Sequence, residues 1–146
     1  LANEVFIPTL LLTEPVDMEK SGLSMGEEFR DVIQKRAVNI LQPDLIHAGG
    51  ITETKKIASL ALAYGIPLAP HIHATMGVAA SIQLMASCTH TLAAEYITSG
   101  GSYDLRKILC GNCCMVDNEG YVPVPQEPGL GVRVDEEVLE RFAVKG

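Results

Sequence analysis

The chain has 146 residues, of which 47% are apolar and 20% charged, and a net charge of −7 at neutral pH. That is enough apolar sequence for a buried core, and the composition is not that of a disordered or collagen-like polypeptide. The negative charge argues against nucleic acid, because no basic stripe can displace counterions from phosphates. It also means that a metal ion or local cations must meet any anionic substrate.

The longest uncharged stretch, 57–94, is broken by Gly65, Pro67, Pro70 and three histidines, so no membrane span is expected. No cationic segment followed by an apolar one opens the chain, and a soluble, cytoplasmic protein is the expectation. The first residue is Leu1 rather than Met, which fits a processed or cut polypeptide. Cys88, Cys110, Cys113 and Cys114 contain a single Cys-x-x-Cys. A structural zinc site needs a second pair, so the four read as reduced structural thiols.

In chain order, Val5-Phe6-Ile7 and Leu10-Leu11-Leu12 read as a buried strand ending near Glu14. Ser24-Met25-Gly26-Glu27 has the form of a capping box, and Phe29, Val32 and Ile33 predict a helix to about Arg36. Val38 to Leu41 is a second strand, followed by Gln42-Pro43-Asp44. After Gly49-Gly50, Thr52 is expected to cap a helix whose apolar face is Ile57, Leu60, Ala61 and Tyr64, with Gly65 as its stop. Ile66 to Ala69 is a third strand leading to Pro70-His71, Met76 to Ala86 an apolar helix, and Leu92 to Ile97 a fourth strand. This alternation is that of parallel βα units. Beyond Gly100 the pattern changes, with a Gly-turned hairpin expected over Met115 to Val124, a turn at Pro128-Gly129-Leu130-Gly131, and a short helix from Asp135 to Phe142.

Each of the four strands ends near a residue able to do chemistry: Glu14, Asp44, His71 and Glu95. In a parallel barrel such positions share one rim, where active sites are built. Asp44 and His71 follow adjacent strands, so the carboxylate could fix the tautomer of the imidazole and raise its basicity. The plainer alternative is a buried structural His–Asp hydrogen bond.

The segment Gln42-Pro43-Asp44-Leu45-Ile46-His47-Ala48-Gly49-Gly50-Ile51-Thr52-Glu53 resembles the sixth-strand motif of mandelate-racemase-like members of the enolase superfamily. Ala69-Pro70-His71 resembles their seventh-strand motif, and Gly120 through Pro128-Gly129-Leu130-Gly131 their C-terminal segment. The likeness is strongest to acid-sugar dehydratases of the galactonate type.

This resemblance implies an α/β fold, the C-terminal half of a (β/α)7β, TIM-like barrel. Residues 1–100 would be barrel strands 5–8 with their helices. Residues 101–146 would form a hairpin and tail returning to an N-terminal capping domain. It implies a Mg²⁺-dependent lyase, a hydro-lyase that takes the α-proton of an acid sugar and eliminates water. Asp44 and His71 would form a catalytic dyad, and Glu95 would hydrogen-bond the substrate carboxylate. His47 could touch substrate, or simply stand in the loop. Glu14 would be the third metal ligand; Glu27 mimics it locally, but the capping box already accounts for Glu27. His73 is passed over because Pro70-His71 makes the match, and His90 receives no role.

The remaining metal carboxylates and a catalytic lysine would lie before residue 1. The implied partners are an acid-sugar substrate and the other half of the barrel with its capping domain, in a homo-oligomer, with no nucleic acid or membrane. Two other readings stand beside this one: a racemase or epimerase using the same dyad, and a non-catalytic half-barrel.

Overall fold

The computed structural model describes residues 4–6, 26–72, 75–97, 101–111 and 113–143. Its elements are β1 (Glu4–Phe6), α1 (Gly26–Gln34), α2 (Gly50–Ala63), α3 (Thr75–Ala86), α4 (Gly101–Cys110), β2 (Tyr121–Pro123) and α5 (Glu136–Phe142).

Helix α1 buries Phe29 and Ile33 and leaves Glu28, Arg30 and Asp31 outside, the one-sided pattern that drives a short helix onto a core. It stops where Arg36 turns left-handed (φ 49°), with Ala37 N–H on the Val32 carbonyl and Arg36 N–H on Ile33. Helix α2 buries Thr54, Ile57, Ala58 and Ala61 and ends in the same geometry, here on Gly65 (φ 70°). That paired closure satisfies carbonyls that a helix end would otherwise leave bare. At the other end of α2 the cap is Gly49, not Thr52. Thr52 already lies inside the helix, and Gly49 carries the left-handed turn (φ 95°) that starts it.

Between the helices run three parallel segments, reduced to single bridges Leu41–Leu68 and Leu68–Thr91. Four backbone hydrogen bonds hold them: Leu41 N to Pro67 O, Ala69 N to Leu41 O, Leu68 N to His90 O and Leu92 N to Leu68 O, at 2.8–3.1 Å. Leu41 and Leu68 are wholly buried among Phe29, Ile33, Ile57, Ala58, Ala61 and Ile66. Each large apolar side chain buried in this way stabilises the fold by about 1.5–3 kcal/mol. A second core gathers Ile72, Val78, Ala79, Ile82, Met85 and Ala94 with Cys114, Val122 and Val124 from the C-terminal segment. Helix α3 lies between neighbours, with Val78 to Leu84 buried except Gln83, which is why its composition is apolar on every face.

Several expectations change here. The residues from Leu92 to Ile97 do not form a strand beyond the bridge at Thr91. Residues 4–6 are a strand, but β1 pairs antiparallel with β2 (Glu4 with Pro123, Val5 with Val122, Phe6 with Tyr121) and not within the parallel set. A three-residue apolar run has no pattern that distinguishes the two kinds of partner. The continuation of that predicted strand, with Glu14, lies outside the described residues, as do Ser24 and Met25 of the predicted capping box. The predicted hairpin over 115–124 is half present. The turn exists, with Asp117 N–H on the Tyr121 carbonyl and the Asp117 carboxylate on the amides of Glu119 and Tyr121, but β1 takes the place of its first strand. Helix α4 was not predicted at all. Helix α5 was, and Asp135 caps it by accepting from Val138 N–H at 3.1 Å.

Candidate functional site

Three of the singled-out residues stand just past the bridged positions: Asp44 after Leu41, His71 after Leu68, and Glu95 after Thr91. They therefore lie toward the same end of the parallel set, where successive strand ends deliver side chains to one rim.

Asp44 is buried, and its carboxylate organises the turn that follows it. Oδ1 accepts from the N–H of Ile46 at 2.7 Å and of His47 at 3.4 Å, and the Asp44 carbonyl accepts from Ala48 N–H at 2.7 Å. Oδ2 stands 3.4 Å from Nδ1 of His47, whose side chain is 57% exposed. Oδ2 is buried and has no hydrogen-bond partner among the described residues. The 3.4 Å approach is thus an electrostatic contact, its angle too poor for a hydrogen bond.

The imidazole of His71 is joined through Nδ1 to Oε2 of Glu95. Both side chains are part-buried, at 25% and 40% exposure, and Nε2 of His71 is itself shielded from solvent. A carboxylate on Nδ1 selects the tautomer with the proton on that nitrogen and makes Nε2 the basic one. The anticipated pairing of Asp44 with His71 thus takes a different form. Nδ1 of His71 goes to Glu95, and the ring nitrogen that approaches the Asp44 carboxylate is that of His47.

Glu14, the expected metal ligand, and His73, the alternative base, lie outside the described residues. Among the described residues, no three His, Cys, Asp or Glu side chains gather closely enough to hold a metal ion. Asp44, His47, His71 and Glu95 therefore do not make a magnesium site by themselves, and their mix of imidazole and carboxylate is not the all-oxygen set that magnesium prefers.

Sequence reasoning passed over the layer beneath Glu95. Tyr96 donates its hydroxyl to the Cys114 carbonyl at 2.5 Å and accepts from Val116 N–H at 3.2 Å. Burial pushes that hydroxyl above its usual range. Arg106 of α4 is 4% exposed and lies over the rings of Tyr96 and Tyr103. The thiols beside it are held protonated. Burial raises Cys110, and burial with the neighbouring Cys113 pushes Cys114 up to about 12. No disulfide forms among the four cysteines, and Cys110 and Cys114, being hard to ionise, are poor nucleophiles and poor metal ligands. The one available signal for this layer was the spacing of Tyr103 and Arg106, which places both on one helical face.

Residues 23–138 match the family described as Enolase C-terminal domain-like. The chain belongs to that family, whose fold is of the TIM-barrel type. It is 38% identical over 120 residues to the D-xylonate dehydratase of Haloferax volcanii, covering 80% of this chain and 28% of that protein. It is 38% identical over 125 residues to the D-galactonate dehydratase of Ralstonia pickettii, covering 78% and 31%. Among solved structures it is similar to the mandelate racemase/muconate lactonizing enzyme from Sulfitobacter sp., with a TM-score of 0.75 and 34% identity, covering 85% of this chain and 30% of that one. The chain thus spans about a third of the length of the relatives it matches. Among the described residues no helix is long and apolar enough to cross a membrane.

Proposed function

We propose that the protein to which this chain belongs is an acid-sugar dehydratase, and that His71 is its acid–base group in this part of the barrel. The observation that carries the reading is the His71–Glu95 pair at the same end of the parallel segments as Asp44. The likeness to the two dehydratases named above supports it.

In such a reaction a base takes the proton from the carbon beside the carboxylate, and the electron pair left behind is delocalised onto the carboxylate. That pair then forms the carbon–carbon double bond as the neighbouring carbon–oxygen bond breaks, and the hydroxyl leaves as water with a proton given by His71. The enol that remains becomes a keto acid. Without a proton donor the leaving group would be hydroxide, a poor one, so a positioned imidazole is worth about 10²- to 10⁴-fold in rate. His71 has the means: Glu95 on Nδ1 stabilises the imidazolium that Nε2 protonation creates. Glu95, itself 40% exposed, can also turn toward a substrate. Asp44 presents a buried carboxylate oxygen without a hydrogen bond, a group that gains from any donor brought to it.

Magnesium enters this proposal through Glu14 and through carboxylates that other parts of the protein would supply. When bound, it would neutralise charge developing on the substrate carboxylate. The described residues do not hold a metal by themselves, and the proton transfers assigned to His71 do not require them to. The capping domain, the remaining strands and a homo-oligomeric assembly belong to the same proposal.

The test is a screen of acid sugars with Mg²⁺ on the complete protein, scoring keto-acid formation. Inversion of configuration without loss of water would favour the second reading, a racemase or epimerase. The likeness to the Sulfitobacter mandelate racemase/muconate lactonizing enzyme keeps that reading in view.

A further inference from the structure

We propose that Arg106 is a positioning residue for Glu95, holding the chain at Tyr96 and Ile97 so that the Glu95 carboxylate meets His71. This rests on the reading of His71 and Glu95 as the acid–base pair.

The guanidinium is an anomaly. It is 4% exposed, and its Nε is buried without a hydrogen-bond partner among the described residues. The ion pairs among the described residues involve other cations. Removing such a charge from water is costly, and an apolar side chain of similar volume would serve a purely structural role at least as well. Apart from the Tyr103 ring of its own helix, the contacts of the guanidinium are with one stretch of chain, Tyr96 and Ile97. Its Cζ lies 4.6 Å from the centroid of the Tyr96 ring and 5.2 Å from that of Tyr103, and Nη2 donates to the Ile97 carbonyl at 3.4 Å. A desolvated cation against aromatic faces is a strong contact, and it is orienting.

Tyr96 is thereby fixed at two places, with its ring on Arg106 and its hydroxyl between the Cys114 carbonyl and the Val116 amide. Ile97 is fixed through its carbonyl. The residue just before them is Glu95, whose carboxylate is 40% exposed and joined to His71. A part-exposed glutamate has many rotamers, so a bond to His71 depends on where the backbone starts the side chain. Helix α4 is a firm base for this clamp. Leu109 is buried, the Leu109 carbonyl accepts from Asp135 N–H at 2.8 Å, and the helix packs on α3 and α5.

The experiment uses the complete protein without substrate. The imidazole Nδ1–H of His71 held by Glu95 should give a low-field proton NMR signal, assigned by its loss in both His71→Asn and Glu95→Ala, which removes the acceptor. Arg106→Met should abolish or broaden that signal while the protein still melts cooperatively, and Arg106→Lys, which keeps a cation over the rings, should retain it. With an active substrate in hand, Arg106→Met should lower kcat about tenfold with KM changed less than about threefold, the pattern of a misplaced catalytic group. If Arg106→Met does not fold, Tyr103→Leu removes one face of the stack and should weaken the same signal.

A signal unchanged in folded Arg106→Met, or unchanged in Tyr103→Leu, overturns the proposal. So does the absence of any such signal in the wild type. Because the signal needs no turnover, failure on every acid sugar would count against the dehydratase reading and leave this one standing. An unchanged signal beside normal dehydration would do the reverse.

Discussion

Nδ1 of His71 is joined to Oε2 of Glu95, so a part-exposed carboxylate sits directly on one nitrogen of the imidazole proposed to move the proton. Glu95→Gln keeps an acceptor for Nδ1–H but loses the charge that favours imidazolium. It should reduce kcat on an acid sugar about a hundredfold. The double variant with His71→Asn should be scarcely slower than His71→Asn alone, since residues that act as a unit are not additive. A double-mutant cycle in kcat checks this; full additivity would mean that the two side chains work separately.

Asp44 separates charge from architecture. Its Oδ1 accepts from the amides of Ile46 and His47, and an asparagine could keep those bonds through its own oxygen. Asp44→Asn should therefore melt close to the wild type and yet lose about 10²-fold or more in activity. Asp44→Ala should in addition cost about 1–2 kcal/mol, because two turn amides lose their acceptor. Denaturant melts beside kinetics on both variants test the split.

His90 gives the fold a pH dependence away from the site. Burial, with Lys55 nearby, lowers its value below the ordinary 6.5, outweighing the contribution of the Ala58 carbonyl. Both ring nitrogens are buried without a geometrically sound hydrogen bond among the described residues, so that carbonyl is a weak partner. The folded state then prefers neutral His90, and the unfolded chain takes up the proton first. Stability should begin to fall as pH drops below about 6.5 and level off once pH has passed the folded-state value. Melting temperature followed from about pH 8 to about pH 5 should show that decline, and His90→Leu should flatten it. An equal slope in the variant would assign the dependence to other groups.

Gly131 closes the turn that ties the C-terminal segment to α3. Its φ is +74°, and a Cβ there would run into the Pro125 ring and stand 2.9 Å from the Pro125 carbonyl carbon. Gln83 of α3 donates to the Pro125 carbonyl at 2.7 Å, so Pro125 is not at liberty to retreat. Gly131→Ala should cost about 1–3 kcal/mol or more, read as a lowered melting temperature. Gly129→Ala, with a similar φ of +75° but open space around it, should cost less.

Helices α1 and α2 were legible because their apolar spacing over nine or more residues has one explanation, with Gly65 marking the stop of α2, and α3 because its apolar run is too long for a strand. The family was legible because the Gln42–Glu53 and Ala69–His71 motifs are contiguous. The antiparallel pairing of β1 with β2 was not, since three apolar residues are compatible with either neighbour. Helix α4 was hidden because a charged residue, Arg106, takes a buried position on its inner face; the guanidinium finds contacts on Tyr103 within the helix and on Tyr96 and Ile97 outside it. Sequence reasoning paired His71 with Asp44, and the structure joins it to Glu95 for a related reason. Strand order brings Asp44, His71 and Glu95 to one rim, but which carboxylate meets the ring depends on local turns. Asp44 spends one oxygen on its own loop, as the short spacing to Ile46 and His47 allows.

Whether His71 moves the proton is decided by keto-acid formation from an active acid sugar, comparing the complete wild-type protein with His71→Asn at saturating Mg²⁺. If His71 is the acid–base group, the variant folds, binds Mg²⁺ as the wild type does, and forms keto acid at least about 10²-fold more slowly. A folded, Mg²⁺-replete His71→Asn protein turning over within a fewfold of the wild-type rate would contradict that role.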